Sequence, residues 1–206
     1  MTRLANGLAE SGFAALRFDF TGLGTSGGEF VDSTVSANVQ DLAAAAVALI
    51  REGYGPCGML GHSLGGAAVL LAAARLHTVR SVAVLGAPST PTHVTHLFAD
   101  VADDIRDDGD AVACIGGREF PVSRAFLDDL EGHDSDQAIS DLGRPLLVLH
   151  AIDDEVVPIT EGEAIFAAAR QPKAFTPLFG TNHLVTDRTA AETVLGHVRN
   201  WFTTTL

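Results

Sequence analysis

Between a short apolar run, Cys57 to Leu60, and an alanine- and leucine-rich stretch lies Gly61-His62-Ser63-Leu64-Gly65-Gly66, and no other part of the chain restricts its fold so strongly. It reads as G-x-S-x-G, a nucleophile elbow. The turn from strand into helix is so tight that residues flanking the serine are expected to lack side chains, a need met by Gly61, Gly65 and Gly66. Ser63 is then exposed at a helix N-terminus, where backbone N–H groups and the helix dipole favour developing negative charge. A glycine-flanked serine also occurs in ordinary turns. Here strand, turn and helix arrive in the order the elbow requires.

The chain has 206 residues, 47% of them hydrophobic and 19% charged, which is enough for one well-filled core. One globular domain is expected. Acidic residues outnumber basic ones 26 to 13, so the surface repels phosphate backbones and anionic lipid. Nucleic acid and membrane partners are therefore not expected, and the oligomeric state stays open. Cys57 and Cys114 have no metal-ligand spacing, and no N-terminal apolar run resembles a signal peptide. A reduced, cytoplasmic setting is expected.

The opening residues predict a helix, since Leu4, Ala5, Leu8 and Ala9 recur at helical spacing before Gly12. Phe13 to Phe20 is strongly apolar, broken only by Arg17 and Asp19, and predicts a buried parallel strand. Gly22-Leu23-Gly24-Thr25-Ser26-Gly27 matches G-x-G-x-x-G, but a dinucleotide site needs a helix opening at the third glycine. Here Gly28, Glu29 and Phe30 continue the loop, so a glycine-shaped turn is expected and no cofactor is called for. From about Thr34 to Glu52, Val39, Leu42, Ala43, Ala46, Leu49 and Ile50 form the stripe of a helix covering a sheet. The elbow strand, a helix to about His77 and a strand from Val79 to Leu85 follow. This alternation predicts an α/β fold, a doubly wound, mostly parallel sheet.

Between about residues 87 and 144 the alternation lapses. His93 to Asp104 reads as helical, Ala111 to Ile115 and Arg118 to Val122 as a hairpin around Gly116-Gly117, and Ser123 to Leu130 as helical again. This is too long for a plain connection, so an inserted cap is expected. Its acidic residues lack the spacing of a calcium loop. His93 and His96 lie one helical turn apart without a third partner, so no metal is expected.

The core resumes with a strand from Pro145 to His150, then Asp153-Asp154-Glu155, then a helix opened by Thr160 with Glu163 at capping-box spacing. Ala174 to Phe179 predicts the last strand, left by Gly180-Thr181-Asn182-His183, and a helix from about Arg188 to Trp201 closes the chain. A serine hydroxyl is a poor nucleophile until a base takes its proton, and the base needs an acid to orient it. His183 and an acid among Asp153, Asp154 and Glu155 both follow strands, at the same carboxyl edge as the elbow. His77 and His197 fall on or at the ends of helices, His62 lies inside the elbow, and His150 is within or at the end of a strand. Alternation alone does not choose among the three acids.

Resemblance does. His150-Ala151-Ile152-Asp153-Asp154-Glu155-Val156-Val157-Pro158 resembles the α/β-hydrolase pattern H-G-x-x-D-x-x-V-P, whose acid falls on Asp154. Leu16 to Gly24, Gly61 to Ala68, Gly86-Ala87-Pro88 and Thr92 to Phe98 extend the likeness. Together they resemble the hydrolase half of bacterial proteins that join an α/β-hydrolase to an OsmC-like domain. The resemblance implies a Ser63, Asp154, His183 triad, with the Leu64 backbone N–H in the oxyanion hole. It also implies an N-terminally truncated chain, with Met1 an internal or misassigned start or the beginning of a truncated product. In the resembling fold three strands precede the first helix, the third lies between the Phe13–Phe20 strand and the elbow strand, and its loop supplies the second oxyanion donor. The expected activity is cleavage of a carboxylic ester or thioester through an acyl-enzyme. The alternative is an impaired remnant or a non-catalytic interaction module.

Overall fold

Strands built from long apolar runs need cover on both faces, and β2 (Val79–Leu85) shows how this chain provides it. Val82 and Val84 join one apolar core, while Ala83 and Leu85 join another on the opposite face. In β5 (Leu146–Ala151) the same alternation sends Leu146 and Val148 one way, Leu147 and Leu149 the other.

A computed structural model describes residues 1–115 and 118–206. The chain runs through α1 (Thr2–Glu10), a 3₁₀ turn (Phe30–Asp32), α2 (Val35–Arg51), β1 (Cys57–His62), α3 (Leu64–Arg75) and β2. After 3₁₀ turns over Pro91–Val101 come α4 (Ala102–Asp108), β3 (Asp110–Ile115), β4 (Arg118–Ser123), α5 (Arg124–Glu131) and α6 (Ser135–Ser140). Then β5, α7 (Ile159–Ala168), β6 (Lys173–Leu178) and α8 (Arg188–Thr205) complete the fold. The main sheet has the order β1-β2-β5-β6, with every pair parallel, while β3 and β4 form a separate antiparallel pair.

On one face lie α2, α3 and α7, through Val35, Val39, Leu42, Leu70 and Ile165. On the other lie α1 and α8, through Leu4, Leu8, Val194, Val198 and Phe202. Every residue of α3 from Gly66 to Ala73 is buried, as expected of a helix that is apolar all round. Helix starts follow local capping chemistry: the Thr34 side chain accepts the Ala37 N–H at 3.0 Å, and Asp187 accepts that of Ala190 at 2.9 Å.

Four expectations change. Residues 13–20 run without strand pairing, leaving β1 at the sheet edge with a cleft of about 680 Å³ between it and this segment. An apolar sequence makes a strand only where a neighbour completes its hydrogen-bond ladder, and among the described residues none pairs with it. His93 to Asp104 divides into 3₁₀ turns and the start of α4 rather than one α-helix. Thr160 does not cap α7: the N-cap is Pro158, whose fixed φ suits the start of a helix. Helix α6, capped by Asp134 on the Gln137 N–H at 3.0 Å, was not foreseen. The β3–β4 register agrees with the expected hairpin, and its Gly116-Gly117 turn lies outside the described residues.

Candidate active site

The site lies where the parallel strands end, because β1, β2, β5 and β6 all present their carboxyl ends at one edge of the sheet. Ser63 follows β1 directly and is the N-cap of α3, with φ 54° and ψ −133°. Such a backbone is strained for a residue with a Cβ, and the surroundings hold it. The Ser63 N–H donates to the Leu85 carbonyl at 3.0 Å, and its own carbonyl accepts from Gly66 N–H at 2.8 Å. A Cβ on Gly61 would run into the Gly65 carbonyl, and one on Gly66 would lie 2.6 Å from the Ala87 Cβ. Gly65 differs from the expectation: a Cβ there meets nothing closer than Phe20 at 3.8 Å, so two of the three glycines are sterically required. Leu64 and Gly65 begin α3, and N–H groups in a first turn have no intrahelical acceptor.

Of the three adjacent acids after β5, Asp153 and Glu155 are exposed and Asp154 is buried. Its Oδ1 accepts the N–H groups of Val156 and Val157 at 2.9 and 2.8 Å, and its Oδ2 accepts His183 Nδ1–H at 2.8 Å. Three donors, two on Oδ1 and one on Oδ2, fix the carboxylate in direction. His183 is itself only 7% exposed. With Nδ1 donating to Asp154, its Nε2 is the free ring nitrogen, the atom that can take a proton. The Ser63 hydroxyl makes no hydrogen bond to His183 among the described residues. That contact is often long until substrate is bound.

Three neighbours of this group carried no role in the sequence analysis. Gly86, just after β2, has φ +53°, and a Cβ there would stand 3.3 Å from both Asp154 Oδ2 and His183 Nδ1. His150, fully buried on β5, donates Nε2–H to the Val157 carbonyl at 2.8 Å and lies 3.7 Å from Asp154 Oδ2. It braces the turn that holds the acid. His62 donates Nε2–H to the His183 carbonyl at 2.8 Å, and its ring packs on that of His183 at 4.8 Å between centroids. Burial pushes its pKa down to about 4, outweighing the hydrogen bond to the His183 carbonyl, which acts the other way. Each lies in a stretch that carries the resemblance and is the last residue of a strand, or next to one.

Residues 87–144 are tied to the core close by. Ser89 donates its N–H and hydroxyl to Glu161 of α7 at 2.8 and 2.7 Å. Asp129 of α5 accepts both the N–H and hydroxyl of Ser36 in α2. Burial raises the Asp129 pKa, but the Ser36 donors and His133 outweigh it, and the net shift is downward. Among the described residues no three metal-ligating side chains converge. None of their helices is long and apolar enough to cross a membrane.

A doubly covered parallel sheet with a serine at the strand-to-helix turn after one strand and an acid and histidine after later ones defines an α/β-hydrolase fold, and the chain is of that class. The chain belongs to the serine aminopeptidase, S33 family, which it matches over residues 1–107. A solved esterase domain from a Rhodothermus marinus protein is 36% identical, with a TM-score of 0.77, over 97% of this chain and 78% of that one. Est1E from Butyrivibrio proteoclasticus, solved with ferulic acid bound, shares the fold at 21% identity and a TM-score of 0.80, over 99% of this chain and 82% of that one. The lysophosphatidylserine lipase ABHD12 of Danio rerio is 28% identical over 175 residues, 81% of this chain. The match spans 42% of that protein's length.

Proposed function

We propose that the protein is a serine hydrolase that cleaves a carboxylic ester or thioester through an acyl-enzyme. Ser63 Oγ attacks the substrate carbonyl while His183 Nε2 takes the hydroxyl proton. The tetrahedral oxyanion is met by the Leu64 N–H at the head of α3. The bond to the alkoxide or thiolate then breaks, and His183 returns the proton to the leaving group. Water, deprotonated by His183, attacks the acyl-enzyme and releases the acid. Asp154 holds His183 in the Nδ1–H tautomer and stabilises the imidazolium. Residues 87–144 act as a cap that bounds the acyl or alcohol pocket, held to the core through Ser89–Glu161 and Ser36–Asp129. The chemistry calls for no metal or cofactor. The two unpaired cysteines suit a reducing, cytoplasmic setting.

The observation that carries this reading is the 2.8 Å His183–Asp154 contact at the sheet edge where Ser63 heads α3. The names of the esterase and lipase relatives support the substrate class. A second reading, an impaired or non-catalytic fold, is favoured by the unpaired edge of β1 and its cleft.

Reaction of the purified chain with a fluorophosphonate, read by intact mass beside Ser63→Ala, separates the two. One adduct in the parent and none in the variant is expected. A chain folded by circular dichroism that takes no adduct supports the non-catalytic reading instead. Hydrolysis of a p-nitrophenyl ester beside an acyl thioester then divides the substrate classes.

A further inference from the structure

We propose that His62 is a positioning residue: its Nε2–H bond to the His183 carbonyl and its ring packed on the His183 imidazole hold the general base in register with Ser63. This inference rests on the triad reading above and deepens it.

His62 and Ser63 are consecutive, so whatever grips His62 is coupled covalently to the nucleophile. The 2.8 Å bond joins the elbow directly to the main chain of the base, across 121 residues of sequence. Asp154 fixes the imidazole from the Nδ1 side, and the ring of His62 covers a face, with 4.8 Å between centroids and 39° between planes. Together these leave His183 little freedom to swing or translate. The loop also needs such a hold. Val185 has φ +48°, a conformation costly for a β-branched residue, and the Val185 N–H closes a turn onto the Asn182 carbonyl at 3.1 Å. Strain of this kind persists only where surrounding contacts overdetermine it.

The charge state of His62 suits the task. The titratable groups facing it are His183 and Asp154, and burial outweighs the pull of the His183 carbonyl and the Asp154 carboxylate, which keeps the ring neutral well below neutral pH. It is therefore a fixed N–H donor, and it offers a π face rather than a like charge when His183 takes up a proton. A bare Nδ1 on His62 follows from Nε2 carrying the proton.

The test compares His62→Ala and His62→Gln with the parent and with Ser63→Ala. A glutamine side chain reaches far enough to return an N–H donor to the His183 carbonyl without the ring. With p-nitrophenyl acetate, His62→Ala is expected to lower kcat by roughly 10- to 100-fold with KM little changed, since small misplacements of a catalytic group act on the chemical step. His62→Gln is expected to regain most of that loss. By NMR, the downfield proton between His183 Nδ1 and Asp154 is expected to be sharp in the parent and His62→Gln and to broaden in His62→Ala. A merely structural role would lower the melting temperature and leave the kcat of the folded enzyme and this resonance unchanged. A folded His62→Ala with parental kcat and resonance overturns the proposal. So does a folded His62→Gln as impaired as His62→Ala. If the parent forms no Ser63-dependent adduct, the hydrolase reading fails, and the resonance still decides whether His62 holds His183.

Discussion

Beside β5 and β6, the loops that leave the strands close onto one another: Asp154 takes two backbone N–H groups and one imidazole, His150 braces the Val157 carbonyl, and His62 reaches across to the His183 carbonyl. Beside β1, the backbone N–H groups of Ala14 to Asp19 meet no acceptor among the described residues, and Leu16 and Phe18 are 49% and 37% exposed. Both regions read as apolar strand followed by a polar turn. Only one is finished by its neighbours. A strand with a partner on each side converts its apolar pattern into buried core and satisfied backbone, while the same pattern beside an open cleft leaves its groups to water.

The largest expected effect falls on the closed side. Asp154→Asn keeps the shape of the acid but replaces a carboxylate with an amide that favours the wrong imidazole tautomer. The loss in kcat is expected to be on the order of 10³- to 10⁴-fold, by analogy with a serine protease. Steady-state hydrolysis of a p-nitrophenyl ester measures it, and a loss of less than about tenfold would show that His183 is oriented without Asp154.

A smaller effect separates the two regions by stability. Leu149 is fully buried in β5 among residues of α1 and α8, and Leu149→Ala is expected to cost about 2–5 kcal/mol. The shift of the urea midpoint at unchanged m reports it. Phe18→Ala marks the small end of the scale. Its ring is partly exposed and meets Phe20 edge-on at 5.4 Å, so a change of about 0.5 kcal/mol or less is expected, as for other surface positions. Equal midpoint shifts in the two variants would mean that residues 13–20 are packed as firmly as β5 and would erase the contrast.

Much of this was legible in the sequence because it depends on local spacing. The elbow, the continuous apolar strands β2 and β5 and the alanine-rich α3 all rest on contacts within a few residues, and they appear where expected within a residue or two. The 3₁₀ geometry over Pro91–Val101 was harder to foresee, because its periodicity resembles that of an α-helix over so short a run. Thr160 and Glu163 satisfied the capping-box spacing, yet Pro158 set the start of α7.

By itself the sequence determined the alternation of strands and helices from α2 to β2 and from β5 to α8, the serine at the strand-to-helix turn, and the sheet edge on which an acid and a histidine would emerge. These follow from backbone periodicity and from the sterics of glycine and proline. Spacing left three adjacent acids open and resemblance pointed to Asp154; the tertiary structure buries that one against His183, and it alone decided which elbow glycines are required and why a side chain at Gly86 would crowd the pair. It also decided that His62 spans from the nucleophile to the base and that residues 13–20 form no strand. Each of these depends on atoms brought together from distant parts of the chain, and local pattern carries no record of which neighbour will be there.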